Sequence, residues 1–314
     1  MMKFNFLGSL VLIIIFVAYR ECASTNGYGV LPKPPYCGLP TDIHKRSYGS
    51  QPVNVTYFPW MVALQYLEKS KYTIQCGGAL INSRYVITAA HCIDDKLKYV
   101  LLGTTNVKDI SSYIKIENTK VHSKFDKDVT APFALQYDIG LIRLSKQVAF
   151  SKNIQPICLP FQIENYSPPT ANTTFLLSGW GDKEVILDNN ILSMVELPYF
   201  EFEECREIFS MYMTYFNDKV FCAGGIVGKD ACLGDSGSPL VRKIDDIWIM
   251  DGVVSGAIDN RCGTQNPGVY ANVVKFERWI TENIYYSLES GQKGNIDLSD
   301  VVLIISMLYM WLFL

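Results

Sequence analysis

From Trp60 onward the chain is written in short apolar runs separated by turn residues. WMVALQYL (60–67), YVITAA (85–90), KYVLLGT (98–104), IGLIRL (139–144), TTFLLSGW (173–180), IWIMDGVVSG (247–256) and GVYANV (268–273) each have the length of a strand. β-branched and aromatic residues fill them and Gly, Asn, Asp or Ser bound them, which is the signature of strand and turn. Many such runs predict an all-β sandwich or barrel. Two stretches carry a helical pattern instead. One is EFEECREIFSM (201–211); the other is KFERWITENIYYSL (275–288), whose apolar residues at 276, 279, 280, 284 and 288 share one helical face. No internal repeat interrupts the series.

The two ends follow a different pattern. Residues 1–24, MMKFNFLGSLVLIIIFVAYRECAS, have one early charge at Lys3, an apolar stretch and then small residues, which reads as a signal peptide. The last fourteen residues, VVLIISMLYMWLFL (301–314), are uncharged but shorter than the roughly 20 that a spanning helix needs. A polar spacer, QKGNIDLSD (292–300), precedes them, and Ser290-Gly291 precedes the spacer. Small site, spacer and short apolar tail form a lipid-anchor signal, cleaved at Ser290, Gly291 or Asn295. The expected organisation is a signal peptide (1–24), a short pro-segment (25–46), one catalytic-size domain (47–288), and a spacer with an apolar tail (289–314).

Composition adds constraints. The net charge of −3 over 314 residues comes without a basic cluster, which argues against a nucleic-acid partner. Nine cysteines occur, at 22, 37, 76, 92, 158, 205, 222, 232 and 262. Cys22 leaves with the signal peptide, and the even remainder suits disulfides in an oxidising compartment, with the pairing left open by sequence. No paired metal-ligand spacing recurs, and GTTNVKDISS (103–112) is too poor in acidic ligands for calcium, so no metal or cofactor is expected. Sequons at Asn54, Asn165 and Asn172 fit a glycosylated, extracellular chain.

Three separated segments carry chemistry. TAAHC places His91 at the end of an apolar strand. YDIGLIRL places Asp138 at the start of another. KDACLGDSGSPL (229–240) places Ser236 on a glycine-flanked turn. A serine hydroxyl is a weak nucleophile that needs a base, and the base needs a third group to orient it. Histidine is the natural base near neutral pH, and a buried carboxylate orients it and stabilises the imidazolium. An α/β-hydrolase would need G-x-S-x-G and serine ahead of histidine, and this chain has neither.

TAAHC, DIGLIRL, SGWG and GDSGSPL together resemble the signatures of the trypsin/chymotrypsin family of serine proteases, over about residues 36–286. The form is an arthropod-type secreted zymogen without a clip module, since the 25–46 lead carries only Cys37. The resemblance implies two six-stranded antiparallel β-barrels with the active site between them, plus a C-terminal helix. It implies Ser236 as nucleophile, His91 as base and Asp138 as its orienting carboxylate. The N–H groups of Gly234 and Ser236 form the oxyanion hole. Asp230 forms the floor of a pocket for Arg or Lys, walled by Ser255, Ala257 and Gly268. The implied disulfides are Cys37–Cys158, Cys76–Cys92, Cys205–Cys222 and Cys232–Cys262.

The family pattern is broken at two places. Zymogens of this kind are cut after a basic residue, and the freed apolar terminus pairs with the aspartate before the catalytic serine, here Asp235. The matching bond is Arg46-Ser47, so the terminus would begin with Ser47 and forgo about 2 kcal/mol or more of apolar burial. Activation that is weak, cofactor-assisted or unconventional is expected. At 255–257 the chain reads Ser-Gly-Ala, where the family has Ser, an aromatic and Gly. Cleavage narrower or slower than a digestive trypsin's follows. The expected partners are a protein or peptide substrate, an activating protease, a protein inhibitor, and a membrane reached through the tail. The alternative reading is a protease-fold binding or cofactor protein with weak or absent activity.

Overall fold

The computed structural model describes residues 30–39, 51–109, 113–127, 136–181, 190–209, 217–257 and 263–291. Among the described residues are thirteen strands, twelve of which close two six-stranded barrels. In the first, β2 (Met61–Glu68), β3 (Lys71–Leu80), β4 (Tyr85–Thr88), β5 (Leu97–Leu102), β6 (Tyr113–Val121) and β7 (Gly140–Leu144) close in the order β2-β3-β4-β7-β6-β5. In the second, β8 (Thr174–Gly179), β9 (Ser193–Phe200), β10 (Val220–Gly224), β11 (Pro239–Ile244), β12 (Ile247–Gly256) and β13 (Pro267–Asn272) run β9-β10-β13-β12-β11-β8, and β8 pairs back onto β9. The short β1 (Gln51–Pro52) joins β9. All the strand pairs are antiparallel. Closure leaves few open edges, which an all-β protein must otherwise protect.

The apolar runs become strands because burial rewards them on both faces. The first six residues of β2 are all buried, as expected where one face lines a barrel and the other lies under neighbouring chain. Trp60, Met61, Leu64, Leu80, Ile87 and Leu101 are wholly buried in the first barrel. Phe175, Leu177, Leu197, Phe221, Leu240 and Tyr270 fill the second, with the Phe221 and Tyr270 rings stacked 5.8 Å apart.

Two helices are described. α1 (Phe202–Phe209) buries Cys205 and Phe209 and carries Glu203 and Glu204 in its first turn, where the helix dipole favours anions. α2 (Glu277–Gly291) follows a 3₁₀ turn, Val273–Phe276, and sets Ile280 and Ile284 fully into the core. Phe276 of the turn and Trp279 of the helix pack their rings on His122, which also stacks on Tyr137 at 4.9 Å. Among the described residues no helix is long and apolar enough to cross a membrane. The signal-peptide segment, the 292–314 tail, Arg46, Ser47 and Cys262 lie outside the described residues.

Disulfides join Cys37 to Cys158, Cys76 to Cys92 and Cys205 to Cys222. Cys232 is also disulfide-bonded. The first of these ties the lead to the body, where Gln162 Nε2 also donates to Pro32 O.

Candidate active site

Strand pairing brings His91 to Asp138. Thr88, at the end of β4, lies opposite Gly140, at the start of β7. The strands are antiparallel, so the residues just after Thr88 and just before Gly140 leave the same end of the barrel. His91 sits in the 3₁₀ turn Ala90–Cys92, three residues past Thr88, and Asp138 is two residues ahead of Gly140. Tyr137, with φ of 62°, turns the chain so that Asp138 faces inward. The Asp138 carboxylate is 1% exposed. Its Oδ1 accepts from His91 N at 2.9 Å and its Oδ2 from His91 Nδ1 at 2.7 Å. That bond fixes Nδ1 as the protonated nitrogen and leaves Nε2 as the basic one.

The His91 ring packs on the Cys76–Cys92 disulfide, with Nε2 3.7 Å from Cys92 Sγ, while its side chain stays 36% exposed. Partial burial pulls the ring's pKa down. The Asp138 charge and hydrogen bond outweigh that pull, and the net shift is upward from the ordinary histidine value. Cys76, His91 and Cys92 cluster closely enough to suggest a metal site, but both sulfurs are committed to the disulfide and offer no thiolate.

Ser236 arrives from the second barrel, on the turn between β10 and β11. Gly77 N of β3 donates to Ser236 O at 2.8 Å, and Gly237 N donates to Val254 O of β12 at 2.8 Å. Gly237 has φ of 78°, and a Cβ there would lie 2.2 Å from Thr88 Oγ1 and 2.5 Å from Gly77 O. Only glycine fits this seam between barrels. Ser236 is half-buried, and its Oγ makes no hydrogen bond to His91 among the described residues. Such bonds are often long before substrate binds. Gly234, with φ of 94°, turns the chain just ahead of Ser236. The N–H groups of Gly234 and Ser236 donate to no acceptor among the described residues.

Asp235 is held by its neighbours. Gly181 N donates to Oδ1 at 2.9 Å and Cys232 N to Oδ2 at 3.0 Å. Asp230 lies beneath the turn, where Oδ1 accepts from Ala231 N at 2.8 Å and Oδ2 is buried. Burial, and then the charges of Asp230 and Asp235, push the Tyr270 hydroxyl well above its ordinary pKa. Gly268 leaves room over that hydroxyl, since a Cβ there would come within 3.1 Å of it. Ala257 is half-buried just past the end of β12.

Ser255 has a contact that its sequence position did not reveal. Its hydroxyl donates to Asp138 Oδ2 at 2.5 Å, across the barrel boundary. The residue therefore acts on the carboxylate from the second barrel. No local pattern announces a contact between residues 117 apart. Gly181, which donates to Asp235, had a visible signal in SGWG.

Two closed β-barrels that meet at a His–Asp pair and a glycine-flanked serine define a serine protease architecture. The chain belongs to the trypsin family: the family model described as Trypsin matches residues 47–280. CLIP domain-containing serine protease B15 of Anopheles gambiae is 35% identical over 78% of this chain and 71% of its own. Phenoloxidase-activating factor 3 of Holotrichia diomphalia is 34% identical over 84% and 79%. Serine protease 7 of Drosophila melanogaster is 33% identical over 81% and 69%.

Proposed function

We propose that the chain is a secreted, trypsin-like serine endopeptidase, made as a zymogen and lipid-anchored through its C-terminal tail, that cleaves after Arg or Lys. The observation that carries the catalytic part is the His91–Asp138 pair, with Nδ1 bound at 2.7 Å and Nε2 left as the basic nitrogen. Ser236 attacks the scissile carbonyl. His91 takes the serine proton and returns it to the leaving amine, and Asp138 stabilises the imidazolium between those steps. The acyl-enzyme is then released by water through the same base. Gly234 and Ser236 N–H groups hold the oxyanion, each donor worth about 3 kcal/mol. No metal or cofactor takes part in these steps.

Asp230 supplies the preference for a cationic side chain by charge-assisted hydrogen bonding. Cleavage at Arg46-Ser47 supplies the terminus that pairs with Asp235. Asn54, Asn165 and Asn172 are all exposed, which supports glycosylation. The relative named Phenoloxidase-activating factor 3 carries an activating role in its name, and we extend that substrate class, another protein, to this chain. An activating protease and a protein inhibitor complete the partners.

The test is hydrolysis of an Arg-amide reporter by the secreted protein, before and after cleavage at Arg46, with Ser236→Ala alongside. Activity that appears on cleavage and vanishes in the variant supports the reading. A folded, correctly cut protein with no activity favours the binding or cofactor alternative, to which Ser47 and Ala257 lend themselves.

A further inference from the structure

The three sequons do not stand alike in the fold. Asn54 caps the 3₁₀ turn Val55–Tyr57, and its Oδ1 accepts from Thr56 N at 3.0 Å. Asn165 is exposed in the loop ahead of β8. Asn172 instead forms part of the wall of a cavity of about 540 Å³, within the roughly 300–1,000 Å³ of small-molecule sites. A tight turn holds it there: Thr173 N donates to Thr170 O at 2.7 Å, and Thr170 N donates to Thr173 Oγ1 at 2.9 Å. Asn172 and Thr174, the two residues that define the sequon, are both exposed.

The cavity lies on four adjacent strands of the second barrel, β9-β8-β11-β12, and shares no lining residue with the His91–Asp138–Ser236 site. Leu176 of β8 pairs with Glu196 of β9, and Lys243 of β11 pairs with Trp248 of β12. Leu176, Met194 and Trp248 supply its apolar lining. Its charged groups differ in how far they are committed. Arg242 is bound to Asp251 at 2.6 Å, with its side chain 10% exposed. Lys243 lies over the Trp248 ring at 5.2 Å and reaches Asp246 at 3.8 Å. Glu196 is half-buried and makes no hydrogen bond or ion pair with any described residue. A carboxylate held beside apolar surface gains from any hydrogen-bond donor brought to it.

Apolar surface with a few placed polar groups matches a sugar ring, which presents C–H faces and a rim of hydroxyls. We propose that the cavity seats the first N-acetylglucosamine of a glycan on Asn172, with a C–H face of the ring on Leu176, Met194 and Trp248 and a hydroxyl donated to Glu196. This rests on the glycosylation reading above and adds a ligand site to it. The bond is the ordinary one at a sequon: Asn172 Nδ2 gains the anomeric carbon of a lipid-pyrophosphate-linked oligosaccharide, loses a proton and releases the lipid pyrophosphate. The sugar is then tethered at the cavity wall. Its effective concentration is about millimolar, so seating needs little affinity of its own. A seated sugar removes the apolar lining from water, which stabilises the folded chain.

The experiment uses the full chain secreted from cells that make only high-mannose glycans, with occupancy of Asn172 read by mass spectrometry of its peptides. Endoglycosidase H trims each glycan to one N-acetylglucosamine and is expected to leave the Tm within about 1 °C. Asn172→Gln is expected to lower it by about 2–4 °C. A double-mutant cycle ties that loss to the cavity: Glu196→Ala is expected to lower the Tm of the glycosylated chain and to change nothing further beside Asn172→Gln. A trimmed protein that loses as much Tm as Asn172→Gln, or additive effects of the two substitutions, would overturn the seating while leaving glycosylation intact. An Asn172 that carries no sugar overturns the glycosylation reading at this site, and the seating with it.

Discussion

Replacing Ser255 by Ala tests whether the second barrel holds the Asp138 carboxylate of the first. Asp138 accepts three hydrogen bonds: His91 N at 2.9 Å, His91 Nδ1 at 2.7 Å and Ser255 Oγ at 2.5 Å. With 1% exposure, the carboxylate has no water on hand to replace a lost donor. A hydrogen bond to a charged group is worth about 1.5–3 kcal/mol, and that is the fall in unfolding free energy expected for Ser255→Ala. Catalysis changes in two ways. Oδ2 no longer shares its charge with a hydroxyl, so it holds the protonated imidazole more strongly, and the acid limb of kcat/KM moves to higher pH. The carboxylate also loses a fixed direction, and a loosened His91 is expected to lower the plateau about tenfold, equivalent to about 1.4 kcal/mol. Urea unfolding of the zymogen reads the first effect, and the pH profile of Arg-amide hydrolysis by the cut enzyme reads the others. A stability change under about 0.5 kcal/mol, the size of an ordinary surface substitution, together with an unmoved acid limb, would refute the reasoning.

Three further outcomes follow from the packing. Burial, then Lys124 and Lys219, holds His122 below the ordinary histidine pKa, so the folded state keeps the ring neutral. The unfolded chain binds the proton more readily, and stability is expected to fall as pH drops below about 6.5; His122→Gln should flatten Tm against pH between about 7 and 5. Gly237→Ala forces a side chain into φ of 78° and into Thr88 Oγ1 and Gly77 O, and should cost more than about 2 kcal/mol and most of the activity, read by thermal unfolding and the reporter. Removing the Cys205–Cys222 bridge opens a loop of 17 residues and should lower stability by about 3 kcal/mol in urea unfolding.

What could be read in the sequence divides along a physical line. Strands such as β2, β7 and β12 are legible because burial on both faces demands a continuous apolar run. β6, YIKIENTKV, is nearly invisible, since only Ile114 is fully buried, with Tyr113 and Ile116 half-buried against the core among exposed Lys, Glu and Asn. The first half of β3 is exposed for the same reason. Its pairing with β2 holds it, and pairing leaves no mark on composition. The site divides likewise. His91, Asp138 and Ser236 stand in short motifs because each local backbone must be shaped for one atom: the 3₁₀ turn after β4, the positive φ at Tyr137, the glycine at 237. The contacts that join these pieces are long-range, 47 residues for His91 to Asp138 and 117 for Ser255 to Asp138. The first can be inferred from the antiparallel pairing of β4 with β7. The second depends on how one closed barrel rests on another, and no run of residues encodes that docking. The Asp138 carboxylate, gripped from both barrels, ties the geometry of His91 to the barrel interface, so substitutions in that interface should disturb the acid limb of the pH profile before they unfold either barrel.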